Sequence, residues 1–167
     1  MSNSVMSPYQ LRRGDFPITL YRVHYPGSQT TFSRQFGLES ASDFTPYRVK
    51  GLRNAVKYHI DWKCDVPSPF ISTFSNRGHA LNWARAWRAN NGHQPCKIVE
   101  LVIEANDGVA VFRLADLVDG LGITTTLEPS QYRLEYLCLH NIPPEAIVRT
   151  ERVSYPVVRS GYVRVVS

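Results

Sequence analysis

The sequence predicts a single α+β domain, a mixed and mostly antiparallel two-sheet core with flanking helices, and three observations predict it. Short alternating runs rich in β-branched and aromatic residues outnumber the amphipathic helical stretches. The two clear helices fall early, whereas strand follows strand through the second half. No GxGxxG or GxxxxGK[ST] phrase occurs, so an alternating parallel nucleotide-binding sheet is not expected. The expected organisation is a loose polar arm over residues 1–16 followed by one domain over 17–167.

The first strand is expected over residues 18–24 (Ile-Thr-Leu-Tyr-Arg-Val-His). Period two puts Ile18, Leu20, Arg22 and His24 on one face and Thr19, Tyr21 and Val23 on the other. An arginine in mid-strand needs a partner, because an unpaired buried charge is costly. Arg22 is therefore a solvent-facing edge residue, half of a structural ion pair, or a rigid fork that grips an anion. His24 is read as a satisfied structural histidine, with a second polar group of the same cleft as the alternative. Residues 25–46 carry Gly27, Gly37 and many hydroxyls and read as a loop or lid. Residues 47–60 read as a helix with Val49, Leu52, Val56 and Ile60 inward and a basic face of Arg48, Lys50, Arg53 and Lys57 outward.

The next strand, residues 70–74, sits behind Pro67 and Pro69 and ends in Ser72, Thr73, Phe74, Ser75 and Asn76. Ser75 or Asn76 caps a helix over residues 78–91, whose stripe is Ala80, Ala84 and Trp87 and whose stop is Asn91-Gly92. Backbone donors and hydroxyls cluster at such a strand-to-helix turn, which suits a polar or anionic ligand. Residues 97–105 alternate as a half-buried strand, and a short helix is expected over 114–118. A flexible connection over 120–129 leads to a strand over 132–140, with Arg133, Glu135 and Leu137 on one side. The proline turn at 142–147 launches a strand over 148–154. Ser160-Gly161 then reads as the turn of a terminal hairpin.

Composition bounds the function. At 43% hydrophobic and 20% charged residues the 167-residue chain is ordinary for a globular domain. No apolar run is long enough to cross a membrane, so no membrane partner is expected. Residues 1–16 lack the apolar segment of a secretory signal, which predicts a cytoplasmic protein or one delivered into a host cytosol. Three widely spaced cysteines argue against a disulfide framework and against a zinc site, so no metal is expected. The net charge of +5 admits anionic partners, nucleic acid among them. A monomer is expected.

Taken in order, Leu20-Tyr21-Arg22-Val23, then Ser68-Pro69-Phe70-Ile71-Ser72-Thr73 with its helix, then Glu135-Tyr136-Leu137 with the proline turn form an ordered set of phrases. That set resembles the mono-ADP-ribosyltransferases of the arginine–serine–glutamate class, and among them the pierisin- and scabin-like toxins and related fungal domains. The resemblance spans residues 20–153. It implies that NAD is the substrate and that no metal takes part. Glu135 would be the catalytic carboxylate and Arg22 the grip on the NAD phosphates or adjacent ribose. Ser72 would fix Glu135 and touch the ribose, with Tyr21, Thr73, Phe74 and Ser75 around the cofactor. Phe74, Trp83 and Phe32 are the candidates to stack on nicotinamide.

Two positions depart from the family pattern. Phe74 stands where a second serine is usual, and Arg133 stands where Gln or Glu orients the acceptor, with Gln131 two residues before it. An arginine cannot accept a proton. The resemblance implies transfer of ADP-ribose to a protein or nucleic-acid acceptor, as in a toxin-like effector, and the departure at Arg133 points to an unusual acceptor or to water instead of an arginine side chain. The alternatives are an NAD glycohydrolase that uses water, a silent binding module of the same fold with a basic surface, and an unrelated domain in which Arg22 and Glu135 pair structurally.

Overall fold

The computed structural model describes residues 4–61, 63–154, 156–159 and 162–165. Its strands are β1 (Ile18–His24), β2 (Thr31–Ser33), β3 (Gly37–Glu39), β4 (Phe70–Phe74), β5 (Lys97–Ile103), β6 (Val111–Arg113), β7 (Glu135–Leu139), β8 (Asn141–Ile142), β9 (Ile147–Arg152), β10 (Pro156–Arg159) and β11 (Tyr162–Val165). The helices are α1 (Val49–Ile60), α2 (Arg77–Asn90), α3 (Leu114–Gly120) and the single turn α4 (Pro129–Tyr132). Six strands form the main sheet in the order β6-β7-β4-β1-β5-β9, and β2-β3-β8 form a second sheet. Every pairing in both sheets, and that of the β10–β11 hairpin, is antiparallel. The α+β expectation with mostly antiparallel sheets holds. The turn residues Ser160 and Gly161 lie outside the described residues.

Strand alternation decides what each helix covers. Along β4, Phe70, Ser72 and Phe74 share a face, while Ile71 and Thr73 turn away. Leu52, Ala55 and Val56 of α1 pack with Phe70, Phe112 and Leu137. Ala80 and Ala84 of α2 pack with Val23, Phe74 and Ile98. A third cluster joins Ile71 and Cys138 to Leu38 and Ile142 of the second sheet. That second sheet approaches so closely that Gly37 cannot carry a side chain. Its φ is +74°, and a Cβ there would lie 2.1 Å from the Ile142 carbonyl oxygen.

Several boundaries differ from the sequence reading. Residues 4–16, expected as a loose arm, pack instead: Met6 and Leu11 are buried and Gln10 bridges to Phe112. The expected loop over residues 25–46 contains the β2–β3 hairpin, held in register by Phe32 opposite Leu38. In α1 the buried stripe is Leu52, Ala55 and Val56, and Val49 is half exposed. Residues 132–134 are not strand. Pro129 at the first helical position and reciprocal capping between Glu128 and Gln131 close a helical turn there, and β7 starts at Glu135.

Candidate active site

Arg22 lies on β1, flanked by β4 and β5, so it is no edge residue. Its side chain is only 7% exposed. One terminal nitrogen donates to the Ser72 carbonyl oxygen at 3.1 Å, and the other donates to the Ser28 hydroxyl at 2.6 Å. The third donor, Nε, is buried with no partner. Burial lowers the Arg22 pKa, opposed by the nearby Tyr25 and Glu135. A buried guanidinium with a free donor at a cleft is a built-in place for an anion.

Glu135 is the first residue of β7 and sits opposite Phe74 of β4. It lines the same cleft as Arg22, Ser72 and Phe74. Burial pushes its carboxyl up to about 7, against the pull of a hydrogen bond from Ser72 and the positive charge of Arg22. No ion pair joins Arg22 to Glu135 among the described residues. Both charges face one cleft without cancelling each other. That separates the site from a structural ion pair.

Between them stands a residue the sequence reading missed. His59, in the last turn of α1, has Nδ1 2.6 Å from the Ser68 hydroxyl and Nε2 2.6 Å from the Ser72 hydroxyl. Burial, reinforced by the charge of Arg22, pulls its pKa down to about 4, so the ring is neutral at neutral pH. One nitrogen then donates and the other accepts. Ser68 Oγ already accepts the Phe70 amide hydrogen at 3.1 Å, which leaves its own proton for Nδ1. Nε2–H then donates to Ser72 Oγ, and the Ser72 proton remains for the Glu135 carboxylate. The chain Ser68–His59–Ser72–Glu135 satisfies every donor in this arrangement. A signal was present in the sequence: His59 continues the Leu52–Ala55–Val56 stripe at helical spacing, where a polar side chain needs a reason.

The other expected residues divide. Phe74 and Trp83 line the cleft, together with Tyr25, whose ring lies 5.6 Å from that of Trp83. Thr73 faces away, fully buried, and its hydroxyl donates to the Tyr136 carbonyl oxygen at 2.9 Å. Tyr21 packs on the Phe74–Ile98 cluster and is outside the cleft lining, as is Ser75. Strand alternation explains Thr73, whereas Tyr21 sits opposite Phe74 on β4 and packs with it beside the cleft. Phe32 lies against His24 at 5.6 Å and lines a separate depression with Arg34 and Lys97. His24, expected to be satisfied, has a buried Nδ1 without a hydrogen-bond partner. Arg133 and Gln131 are exposed on the α4 turn and do not line the cleft; Gln131 instead accepts the Glu128 amide hydrogen. Among the described residues, no group of three or more His, Cys, Asp or Glu stands ready to hold a metal. No helix of the described residues is long and apolar enough to cross a membrane.

The family model described as "Domain of unknown function (DUF7587)" matches residues 15–155. No curated protein matches the sequence. Among solved structures the fold is similar to EcPltA, with a TM-score of 0.60 at 17% identity, covering 91% of this chain and 84% of that one. At that identity the likeness carries the fold, which is ADP-ribosyltransferase-like.

Proposed function

We propose that this chain, which belongs to the family described as "Domain of unknown function (DUF7587)", cleaves the nicotinamide–ribose bond of NAD and transfers ADP-ribose to an acceptor. The observation that carries the reading is the convergence of Arg22, Ser72 and Glu135 on one cleft of an ADP-ribosyltransferase-like fold, with Arg22 and Glu135 unpaired to one another.

The chemistry follows from the charges. When the bond between ribose C1′ and the nicotinamide nitrogen breaks, its electron pair leaves with nicotinamide, which becomes neutral. Positive charge develops on C1′ and the ring oxygen, as in glycoside hydrolysis. The Glu135 carboxylate, held by the Ser72 hydroxyl, stabilises that cation through space in a poorly solvated cleft. Arg22 holds the pyrophosphate, whose oxygens supply the acceptor that Nε lacks. His59 acts on Ser72 and through it on Glu135, which makes it a positioning residue. The acceptor attacks C1′ and gives up its proton, and a carboxyl near 7 is matched to take it.

Water is the second acceptor to consider, and one observation favours it. Arg133 and Gln131 stand on an exposed turn outside the cleft, so neither orients an acceptor beside Glu135. The chain would then be an NAD glycohydrolase.

The test is nicotinamide release from NAD without added acceptor, by wild type and by Glu135→Gln. The expected result is release by wild type and a loss of about 100-fold or more in the variant, on the scale of removing one electrostatic stabiliser. Equal rates for both proteins would remove the assignment. Calorimetry with Arg22→Lys should show NAD binding weakened about tenfold, as a planar fork gives way to a point charge. No wild-type release together with no NAD binding would discard the reading altogether.

A further inference from the structure

A second depression, away from the cleft, is lined by Phe32, Arg34, Lys97, Pro144, Ile147 and Thr150 and has a volume of about 330 Å³. Ligand pockets begin at roughly 300 Å³, so the space suits a small molecule. It shares no lining residue with the cleft that holds Arg22 and Glu135. Its lining divides into two cations, one hydroxyl and an apolar wall, with no acidic side chain.

Strand register explains the charge. His24 of β1 stands opposite Lys97 of β5, and Lys97 stands opposite Arg152 of β9, so basic side chains form one row across the sheet. The next rows on that face are Arg22–Val99–Thr150 and Leu20–Leu101–Ile147. The acidic residues of β5 and β9, Glu100 and Glu151, alternate onto the other face. Like charges directly opposite one another are destabilising, and an anion between them offsets that cost. Among the described residues none of Arg34, Lys97 and Arg152 forms an ion pair. The β2–β3 hairpin supplies the rest of the wall: Phe32 lies against His24, ring centroids 5.6 Å apart, and Arg34 follows β2. Burial, followed by the charges of Arg22 and Lys97, lowers the His24 pKa, which leaves that ring neutral at neutral pH.

We propose that this depression binds a small phosphate monoester carrying an aromatic ring, with Arg34 and Lys97 on the phosphate and the ring against Phe32 and Ile147. Two uncompensated cations match a phosphate monoester, whose charge is about −2 at neutral pH. The arginine fork suits its oxygens, and the Thr150 hydroxyl adds a donor. Inorganic phosphate would leave the apolar wall idle, and an aromatic carboxylate would answer one cation of the two. The site stands on its own residues and does not depend on the NAD reading.

The test is isothermal calorimetry of the full chain with phenyl phosphate as the probe, without NAD, beside inorganic phosphate and benzoate. Phenyl phosphate should bind about tenfold or more tighter than either. Arg34→Gln with Lys97→Gln should weaken it about tenfold or more. Phe32→Leu keeps the apolar volume and removes the ring face, and should cost about threefold or more. Circular dichroism checks that these variants fold. The His24 ring signals in NMR spectra of wild type should shift as phenyl phosphate is added, a readout that needs no variant. Arg22→Lys should leave the affinity unchanged; a loss there would put the anion in the cleft and overturn the proposal. No binding, an unmoved His24, equal binding of inorganic phosphate or benzoate, or full affinity in the Arg34 and Lys97 double variant also overturns it. Adenosine monophosphate and blocked phosphotyrosine, added as competitors, distinguish a free nucleotide from a phosphorylated protein side chain. Displacement by either supports the site and names its source, and displacement by neither overturns it.

Discussion

Glu135→Gln should make the protein more stable at pH 8 and not at pH 5. The Glu135 carboxyl titrates at about 7 in the folded chain, while an ordinary carboxyl, as in the unfolded chain, titrates near 4.5. Between those values the folded state holds a proton that the unfolded state has released. Stability tied to this group is therefore full below about 4.5 and is lost as the pH rises through about 7. The loss is about 3 kcal/mol, the cost of an ionised carboxylate in this cleft after Ser72 and Arg22 have helped it. Glutamine has nearly the shape of the protonated acid and cannot ionise, so it keeps that stability at pH 8. Thermal melting should give the variant a midpoint roughly 6–12 °C above wild type at pH 8 for a domain of this size. At pH 5 the two should differ by less than about 1 kcal/mol. His59 works in the opposite sense: its contribution is present above the ordinary histidine value and is lost as pH falls through about 4. It is common to both proteins and cancels in the comparison. Equal midpoints at pH 8 would mean that the carboxylate is solvated or paired. An equal gain at both pH values would trace the effect to packing. Either result refutes the charge argument.

Wild-type nicotinamide release should rise with pH and inflect near 7, since the reaction needs the carboxylate form of Glu135; a rate flat from pH 5 to 9 would exclude that requirement. His59→Ala should lower the rate about tenfold and move the inflection upward, because Ser72 loses the partner that aligns its proton on Glu135. An unmoved inflection would reduce His59 to a packing role. Gly37→Ala should cost about 3 kcal/mol or more, as its methyl meets the Ile142 carbonyl at 2.1 Å and its φ suits glycine. Melting at the wild-type temperature would show that the second sheet can shift to make room.

The legible parts of this chain were those with a period or a phrase. Arg22, Ser72 and Glu135 stood in strands whose alternation was plain, and their order along the chain suggested one site. Tyr21 and Thr73 were assigned by adjacency; alternation turns Thr73 away from Ser72, while Tyr21, opposite Phe74, packs into the core cluster beside the cleft. The β2–β3 hairpin escaped because three-residue strands are too short to show a period among serines and threonines. The packed segment before residue 17 uses isolated anchors, Met6 and Leu11, that no spacing rule detects. His59 was lost to a choice of stripe. Counting the half-exposed Val49 as inward hid Ala55 from the buried line of Leu52, Ala55 and Val56, against whose cluster Ile60 does pack. A charged-capable residue on that line was the cue.

The cleft also carries an argument about selectivity in the proposed reaction. Arg22 is buried and Glu135 half-buried, yet Arg22 spends its terminal nitrogens on Ser72 and Ser28 instead of on the carboxylate. Each charge is thus left partly uncompensated, visible as the opposite shifts of the two groups toward neutrality. A direct pair would compensate each charge with the other and leave neither for a ligand. NAD brings a pyrophosphate to the guanidinium in the ground state, which is binding. It brings positive charge to the carboxylate only as the bond breaks and charge moves from the nicotinamide ring onto the ribose. The first interaction lowers the energy of bound substrate and transition state alike, and the second favours the transition state. Keeping the two groups apart is what lets one cleft do both.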